Sequence, residues 1–299
     1  MRTKIFVFSV FLVASISTQA QAWKRFRWET IYGLGISNFL GELGGANQIG
    51  TNYLKDYDFK ATRPALTVGL RFKQTPQISH KVNLTLGLLA GDDSWTEETY
   101  RKARNLNFRS PIIELGYNFE FYLKKEKRGH RFKLRGVRGL RNLGLYPYGF
   151  FGISGFFFSP QGNVGGDWKW LRPLTTEGQG LSESRKQYSL VQLSIPLGLG
   201  LKYAVDRRWL VSIEYGLRTT FTDYIDDVST TYFPQEILLS DAKRGSVSAL
   251  AADPTQGTWI GAESYQQRGD PTDDDSYMFL LISANYKLKT NRAGFPKWR

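Results

Sequence analysis

The sequence contains no cysteine and only two histidines, His80 and His130. Without cysteine the chain can form no disulfide, and a lipid-anchored lipoprotein is excluded. The sequence also lacks a GxSxG motif, a P-loop and a set of zinc ligands. We therefore predict a protein that is not an enzyme, with no cofactor, no metal ion and no small-molecule substrate.

Long apolar runs are missing beyond the N-terminus. The one such stretch, Ile5–Ile16, follows Arg2 and Lys4 and precedes an Ala-Gln-Ala sequence that ends at Ala22. This order is typical of a secretory signal, and it predicts Sec-type export with cleavage before Trp23. No later stretch approaches the roughly 18 apolar residues of a membrane helix. We expect a signal at 1–22, one domain at 23–288 and a basic tail at 289–299.

The sequence does contain a strong alternation, clearest in Leu193–Tyr203 and Trp209–Phe221. Apart from Thr219, every second residue is large and apolar, and the residues between are glycine, serine, threonine or charged except for Pro196 and Leu210. A period of two indicates a β-strand, because successive side chains point to opposite faces. A long strand with one apolar face and one glycine-rich, charged face is typical of a membrane barrel whose apolar face contacts lipid.

The same alternation recurs along the chain and predicts eight strands. They are Trp28–Ser37, Pro64–Phe72, Lys81–Ala90, Phe108–Leu123, Tyr146–Phe158, Leu193–Tyr203, Trp209–Phe221 and Tyr277–Leu288. The long and short connections predict an all-β, antiparallel, up-and-down transmembrane barrel in the outer membrane, with long extracellular loops and short periplasmic turns. The faces of Tyr146–Phe158 cannot be assigned, since Phe and Gly occupy both parities. A hairpin in the loop Thr222–Asp275 would give ten strands instead.

Aromatic residues support this orientation. Six of them fall at the predicted periplasmic ends of strands on the lipid face, as in the aromatic girdle of outer-membrane barrels: Trp28, Phe72, Phe121, Tyr203, Trp209 and Tyr286. His80 and His130 fall at the same end. A histidine-dependent catalytic site near the outer loops is therefore not expected.

Charged residues occur on the predicted lumen face. The basic ones are Arg71, Lys81, Lys202 and Arg218, and the acidic ones are Glu29, Glu114, Glu120 and Glu214. The interior of an eight-stranded barrel is just wide enough for side chains to fill it. Buried opposite charges are expected to pair. We favour a sealed, self-neutralised lumen; a proton or ion path is the alternative, and an open porin is disfavoured.

Acidic clusters in the predicted outer loops could bind Ca²⁺ through oxygen. They are Asp223, Asp226 and Asp227 in one group and Asp270, Asp273, Asp274 and Asp275 in the other. Neither fits the spacing of an EF-hand loop. We favour solvated loop charge, or pairing with Arg268 or Lys243, and predict no metal site.

A basic connection, Lys124–Leu145, interrupts the pattern of short periplasmic turns. It has a single acidic residue, Glu126, and its basic residues are Lys124, Lys125, Lys127, Arg128, Arg131, Lys133, Arg135, Arg138 and Arg141. Such a segment can rest on anionic lipid headgroups or dock an acidic partner. Predicted export argues against nucleic acid as the partner of this basic chain.

Several loop sequences carry a resemblance to a known family. They are NFLGELGGANQIGTNYLKDYDFKATR at 38–63, RNLNFRSPIIEL at 104–115, TTEGQG at 175–180, FTDYIDDVSTTY at 221–232 and RGDPTDDDSYMF at 268–279. Together they resemble the PorG family, small outer-membrane barrels of the type IX secretion and gliding machinery. The resemblance implies a non-enzymatic subunit that associates with a periplasmic ring and is needed for export of cargo. An OmpA-like structural or adhesive barrel is the alternative.

Overall fold

A computed structural model describes residues 24–43, 59–126, 144–206, 208–241, 244–258, 260–291 and 293–297. The predicted signal, residues 1–22, lies outside this part of the chain. The described helices are short: Thr99–Arg104, Gln235–Leu239 and Gly245–Ala252. None of them is long and apolar enough to cross a membrane.

Strands make up most of the described chain. In chain order they are β1 (Trp28–Leu40), β2 (Arg63–Lys73), β3 (Ile78–Asp92), β4 (Asn107–Tyr122), β5 (Leu145–Phe158), β6 (Gln161–Val164), β7 (Asp167–Trp170), β8 (Val191–Ala204), β9 (Trp209–Thr220), β10 (Ser276–Thr290) and β11 (Pro296–Lys297).

Eight of these strands close into an antiparallel barrel. The strands β1, β2, β3, β4 and β5 pair in that order. β5 then pairs with β8, β8 with β9, and β9 with β10. The pairing of β1 with β10 closes the barrel, with Trp28 opposite Leu288 and Leu40 opposite Ser276. The predicted eight-stranded, up-and-down barrel is confirmed.

The two ends of the barrel differ. The connections 41–62, 93–106, 159–190 and 221–275 leave one end, which we call the loop end. The opposite turn end carries the short connections 74–77 and 205–208 and the longer connection 123–144. The strands point their apolar side chains outward; Leu34 is 65% exposed and Leu199 is 71% exposed. A closed barrel with an apolar outer face is the form in which β-strands cross a membrane.

The extra hairpin lies after β5. β6 and β7 pair at the loop end, between the predicted strands Tyr146–Phe158 and Leu193–Tyr203, where the sequence pattern predicts no strand. Their turn passes through Gly165 and Gly166, which both have positive φ. Strands of four residues give too short an alternation to detect. The described part of the loop Thr222–Asp275 forms two helices rather than a hairpin.

The faces of β5 become clear in the structure. Tyr148 and Phe150 point into the lumen and are buried, whereas Phe151 and Ile153 point outward and are exposed. Opposite them, β8 has glycine on its inner face. A Cβ atom added to Gly200 would lie 2.2 Å from Cζ of Tyr148. Large rings on one strand therefore fill the space that glycine leaves on its neighbour.

Candidate functional site

Arg71 is the centre of an ion network in the turn-end half of the lumen. Its side chain is fully buried. Nη1 lies 3.0 Å from Glu29, Nε lies 2.7 Å from Glu120 and Nη2 lies 3.2 Å from Glu214. A buried guanidinium is tolerated only when its charge is paired and its donors are used. Here three carboxylates from β1, β4 and β9 supply that pairing across the lumen.

Two lysines extend this network. The Nζ atom of Lys81 lies 2.6 Å from Glu214, and that of Lys202 lies 3.0 Å from Glu29. Tyr122 donates a hydrogen bond to Glu120, and Tyr148 donates one to Glu214. The lumen cross-section at this level is therefore occupied by bonded side chains.

A second ion pair lies nearer the loop end. Arg218 contacts Glu114, with Nε 3.1 Å from Oε2, and Tyr277 donates a hydrogen bond of 2.8 Å to the same oxygen. The structure thus turns all seven charged residues of the predicted lumen network inward and pairs each of them. They are Arg71, Lys81, Glu114, Glu120, Lys202, Glu214 and Arg218.

The turn-end rim contains an ion cluster that the sequence did not suggest. Glu126, from the basic connection, reaches back to Lys73 at the end of β2 and to Lys287 near the end of β10. Lys73 also lies 2.7 Å from Glu29. Burial alone would raise the pKa of Glu126, but Lys73 and Lys287 outweigh it and lower that pKa to about 2. Glu126 therefore joins the connection to the lumen network.

The structure describes only the start of the predicted docking segment. Lys124 and Lys125 lie at the turn end, with one residue between them and the end of β4 at Tyr122. The remaining predicted docking residues lie outside the described residues: Lys127, Arg128, Arg131, Lys133, Arg135, Arg138 and Arg141.

His80 lies at the turn end, near the start of β3. Its ring contacts the Tyr117 hydroxyl at 2.7 Å and the Gln74 side chain at 2.8 Å. His130 lies outside the described residues. The six aromatic residues predicted to form a girdle are at the same end; the rings of Trp28 and Phe72 are 4.9 Å apart, and those of Trp209 and Tyr286 are 4.8 Å apart.

An apolar cluster closes the loop end of the lumen. Its rings come from several strands and from the loop before β8: Phe39 and Phe108 meet edge to face with centroids 4.7 Å apart, and Phe158 stacks on Tyr188. Ile225 and Val228, from the loop after β9, pack into the same cluster and are buried. We call this cluster the aromatic cap. It covers the lumen beneath the long loops.

Four of the seven acidic loop residues are buried, which corrects the expectation of solvated charge for these four. Lys243, one of the two expected pairing partners, lies outside the described residues. Asp226, Asp227 and Asp275 are fully buried, whereas Asp270, Asp273 and Asp274 are exposed. Asp227 accepts hydrogen bonds from Thr176 and Tyr188. Arg268 donates to the Asp227 carbonyl oxygen and lies 2.8 Å from Glu177. Burial raises the pKa of Asp227 to about 6.

Four carboxylates converge beside the aromatic cap: Glu42, Asp223, Asp226 and Asp275. One oxygen each of Glu42, Asp226 and Asp275 lies within 4.8 Å of the others. Burial, with Asp226 and Asp223 nearby, raises the pKa of Glu42 to about 11. Burial likewise raises the pKa of Asp223 to about 9 and that of Asp226 to about 7. Glu42 was not among the acids singled out from the sequence, because it is isolated from them along the chain.

Comparison with known proteins gives likeness of fold. No family model matches the chain, and no curated protein matches it. Seventeen chains of known structure match. Neisserial surface protein A is similar at a TM-score of 0.37 and 8% identity, over 87% of this chain and 96% of that one. OprG of Pseudomonas aeruginosa is similar at a TM-score of 0.36 and 8% identity, over 89% of this chain and 98% of that one. Ail of Yersinia pestis is similar at a TM-score of 0.36 and 8% identity, over 86% of this chain and 97% of that one. The resemblance to the PorG family stays a prediction.

Proposed function

We propose that this chain is a non-enzymatic barrel of the outer membrane, with its loop end outside the cell and its turn end in the periplasm. The apolar outer face of the closed barrel supports contact with membrane lipid. The aromatic residues at the turn end support an interface with headgroups there. Export by the Sec route would follow from the predicted signal at 1–22.

We further propose that the barrel is an outer-membrane component of a type IX protein secretion machinery and anchors its periplasmic ring. The observation that carries this proposal is that Glu126 forms its ion pairs with the barrel. It is the only acidic residue of Lys124–Arg141, and it is bound by Lys73 and Lys287 of the barrel. The basic residues of the connection are thereby left without an acidic residue of their own segment. An acidic surface on a periplasmic partner would complement them.

The lumen supports an anchoring role rather than transport through this barrel. Arg71 and its carboxylates fill the turn-end half, and the aromatic cap fills the loop end. The loop sequences that resemble the PorG family point to the same machinery. In this proposal no cargo passes through the lumen, and the barrel contributes a membrane anchor and a docking surface.

The test is a charge reversal at each end of the barrel. One variant changes Lys124, Lys125 and Arg128 to Glu at the turn end. The matched control changes Lys102, Lys169 and Arg244 to Glu at the loop end, where all three are exposed. Both variants are purified in mild detergent from cells that lack the wild-type chain, copurifying proteins are identified, and exported cargo is measured.

We expect the turn-end variant to assemble as a barrel but to lose periplasmic ring proteins and cargo export, while the control keeps both. Unchanged copurification and export in the turn-end variant would contradict docking and leave only contact of this segment with anionic headgroups. Loss of both functions in the loop variant alone would contradict docking at the turn end and also the proposed orientation of the barrel.

An adhesive surface barrel is the second candidate. The hairpin of β6 and β7 favours it, because all four residues of β7 are exposed and include Trp168 and Trp170. Exposed aromatic residues are common in binding surfaces. Copurification of surface or matrix proteins alone, with loss of that binding when Trp168 and Trp170 are changed to Ser, would support this candidate over the first.

A further inference from the structure

The seam between β1 and β10 brings two carboxylates together at the loop end. Leu40 of β1 is opposite Ser276 of β10, so Glu42 and Asp275 lie just beyond the last paired residues of the two strands. Asp226 joins them from the loop that follows β9. One oxygen from each of the three carboxylates lies within 4.8 Å of the others.

Asp275 contributes to this group a carboxylate oxygen that has no hydrogen-bond partner among the described residues. The residue is fully buried, and its Oδ2 accepts a hydrogen bond from the Ile225 N–H. Its Oδ1 has no hydrogen-bond partner among the described residues. That oxygen lies against Gly41, beside Glu42; a Cβ atom added to Gly41 would be 2.1 Å from it. A buried, unpartnered carboxylate oxygen is costly unless a positive charge or a donor satisfies it.

Glu42 likewise has one bonded carboxylate oxygen and one oxygen without a partner among the described residues. Its Oε1 accepts a hydrogen bond of 2.6 Å from the Asp270 N–H, whereas its Oε2 is buried and has no partner in the described part of the chain. Asp226 accepts from the N–H groups of Leu43 and Val228, which orient its carboxylate. Three carboxylates are thus held in position by backbone donors, with two oxygens unused.

The neighbouring cations form their ion pairs with other acids, although Nη2 of Arg104 also donates a hydrogen bond to the carbonyl oxygen of Glu42. Arg104 forms its ion pair with Asp93 at 2.8 Å, and Arg268 forms its ion pair with Glu177 at 2.8 Å. Among the described residues, no lysine or arginine forms an ion pair with Glu42, Asp226 or Asp275. Neutralisation of this group therefore needs either shared protons or a bound cation.

We infer that Glu42, Asp226 and Asp275 bind a divalent cation of the Ca²⁺ type. The donors are all oxygen, the kind that Ca²⁺ prefers, and Ca²⁺–O distances of about 2.3–2.6 Å hold two ligands of one ion at most about 5 Å apart. The separations in this group fit that limit. Asp223 adds a further acid next to the three ligands.

The cation would tie the loop after β9 to the ends of β1 and β10. Leu43, next to Glu42, and Ile225 and Val228, which flank Asp226, are all part of the aromatic cap. Binding at this position therefore stabilises the closed loop end. This site replaces the expectation of solvated acidic loops with a structural metal site, and it does not depend on the proposed secretion role.

The test measures Ca²⁺ binding by the full mature chain refolded in a neutral detergent and stripped with EDTA. Isothermal titration with CaCl₂ is expected to give one site per chain with a Kd of about 10⁻³ M or tighter, as in extracellular Ca²⁺ modules. Asp275→Asn keeps the shape of the side chain and removes its charge, and it should weaken binding at least tenfold. Asp273→Asn changes an exposed acid nearby and should bind as the wild type does.

Two further measurements separate lost binding from lost folding. Each variant must migrate faster in SDS before boiling than after it, and Glu42→Gln provides a second ligand variant if Asp275→Asn fails to fold. Ca²⁺ should slow amide exchange at residues 221–230 in the wild type but not in the ligand variants. A folded wild type that takes up no Ca²⁺, or a folded Asp275→Asn that binds as tightly as Asp273→Asn, would overturn the inference in favour of shared protons.

Discussion

At the scale of single residues, the turn-end half of the lumen is centred on one guanidinium. Arg71 contacts all three of Glu29, Glu120 and Glu214. Alternation was enough to predict that Arg71 and these glutamates point inward, because one strand parity faces the lumen. It could not predict which pairs form, since partners such as Arg71 and Glu214 are 143 positions apart in sequence.

Replacement of this guanidinium tests its importance. We expect Arg71→Met to destabilise the barrel by about 3–5 kcal/mol, because three buried carboxylates lose the guanidinium that they share and keep only lysines as ion-pair partners. The control is Arg109→Met, since Arg109 is exposed, donates a hydrogen bond to Gln161 and lies over the Trp168 ring at the surface; surface changes of this type alter stability by about 0.5 kcal/mol or less. Urea unfolding of both variants in lipid vesicles gives the comparison, and equal midpoints would contradict the prediction.

The contact of the rim residue Glu126 with the barrel should depend on pH. Its pKa in the folded state is about 2, below the value of about 4.3 for an unperturbed glutamate. A lowered folded pKa means that the contact contributes stability above about pH 4.3 and that this stability is lost as the pH falls toward 2. The start of the connection should therefore detach from Lys73 and Lys287 in acid.

Spin labels can follow this detachment, because the chain has no cysteine of its own. Labels attached through Lys125→Cys and Lys289→Cys should give a narrow distance distribution at pH 6 that broadens as the pH falls from about 4 toward 2. Glu126→Gln should give the broad distribution at both pH values. A distribution that stays narrow in Glu126→Gln would contradict the role of this carboxylate. No sequence signal identified Glu126, because its partners come from distant strands.

At the scale of elements, β5 and β8 fit each other by size. The alternation could not assign the faces of β5, because Phe residues occupy both of them. The structure resolves the ambiguity, since the inward Tyr148 and Phe150 lie over the inner glycines of β8, Gly198 and Gly200. Neighbours across the sheet, rather than the local pattern, set which rings turn inward.

This fit predicts the effect of filling one glycine position. Gly200→Val should destabilise the barrel by about 1–3 kcal/mol, the typical cost of overpacking, because its side chain would overlap the Tyr148 ring. Displacing that ring also breaks its hydrogen bond to Glu214. Gly155→Val is the matched control, since no heavy atom lies within 4 Å of a Cβ added there. Thermal midpoints in the same detergent, measured by circular dichroism, should fall for Gly200→Val only.

At the scale of the whole molecule, the sequence predicted the barrel well and its loops poorly. Eight long strands with one apolar face can satisfy their backbone groups in lipid only by closing on one another, so strand count and pattern determine the architecture. The aromatic cap and the buried acids involve loops whose residues meet across the barrel mouth. Loop sequences have no periodicity, so the alternation of the sequence could not predict which loop residues are buried.

The two seals of the lumen lead to the last prediction, that the isolated barrel does not conduct ions. A current would have to pass both the ion network around Arg71 and the aromatic cap. We expect planar-bilayer recordings of the refolded wild type to show no steady open-channel current. A double variant with Arg71→Ala and Phe108→Ala, which removes one large side chain from each seal, should raise the frequency of current steps, whereas each single variant leaves one seal intact. Large steady currents from the wild type would contradict the sealed lumen and would favour a pore, because diffusion of hydrated ions through an eight-stranded barrel requires that its interior side chains leave a continuous path.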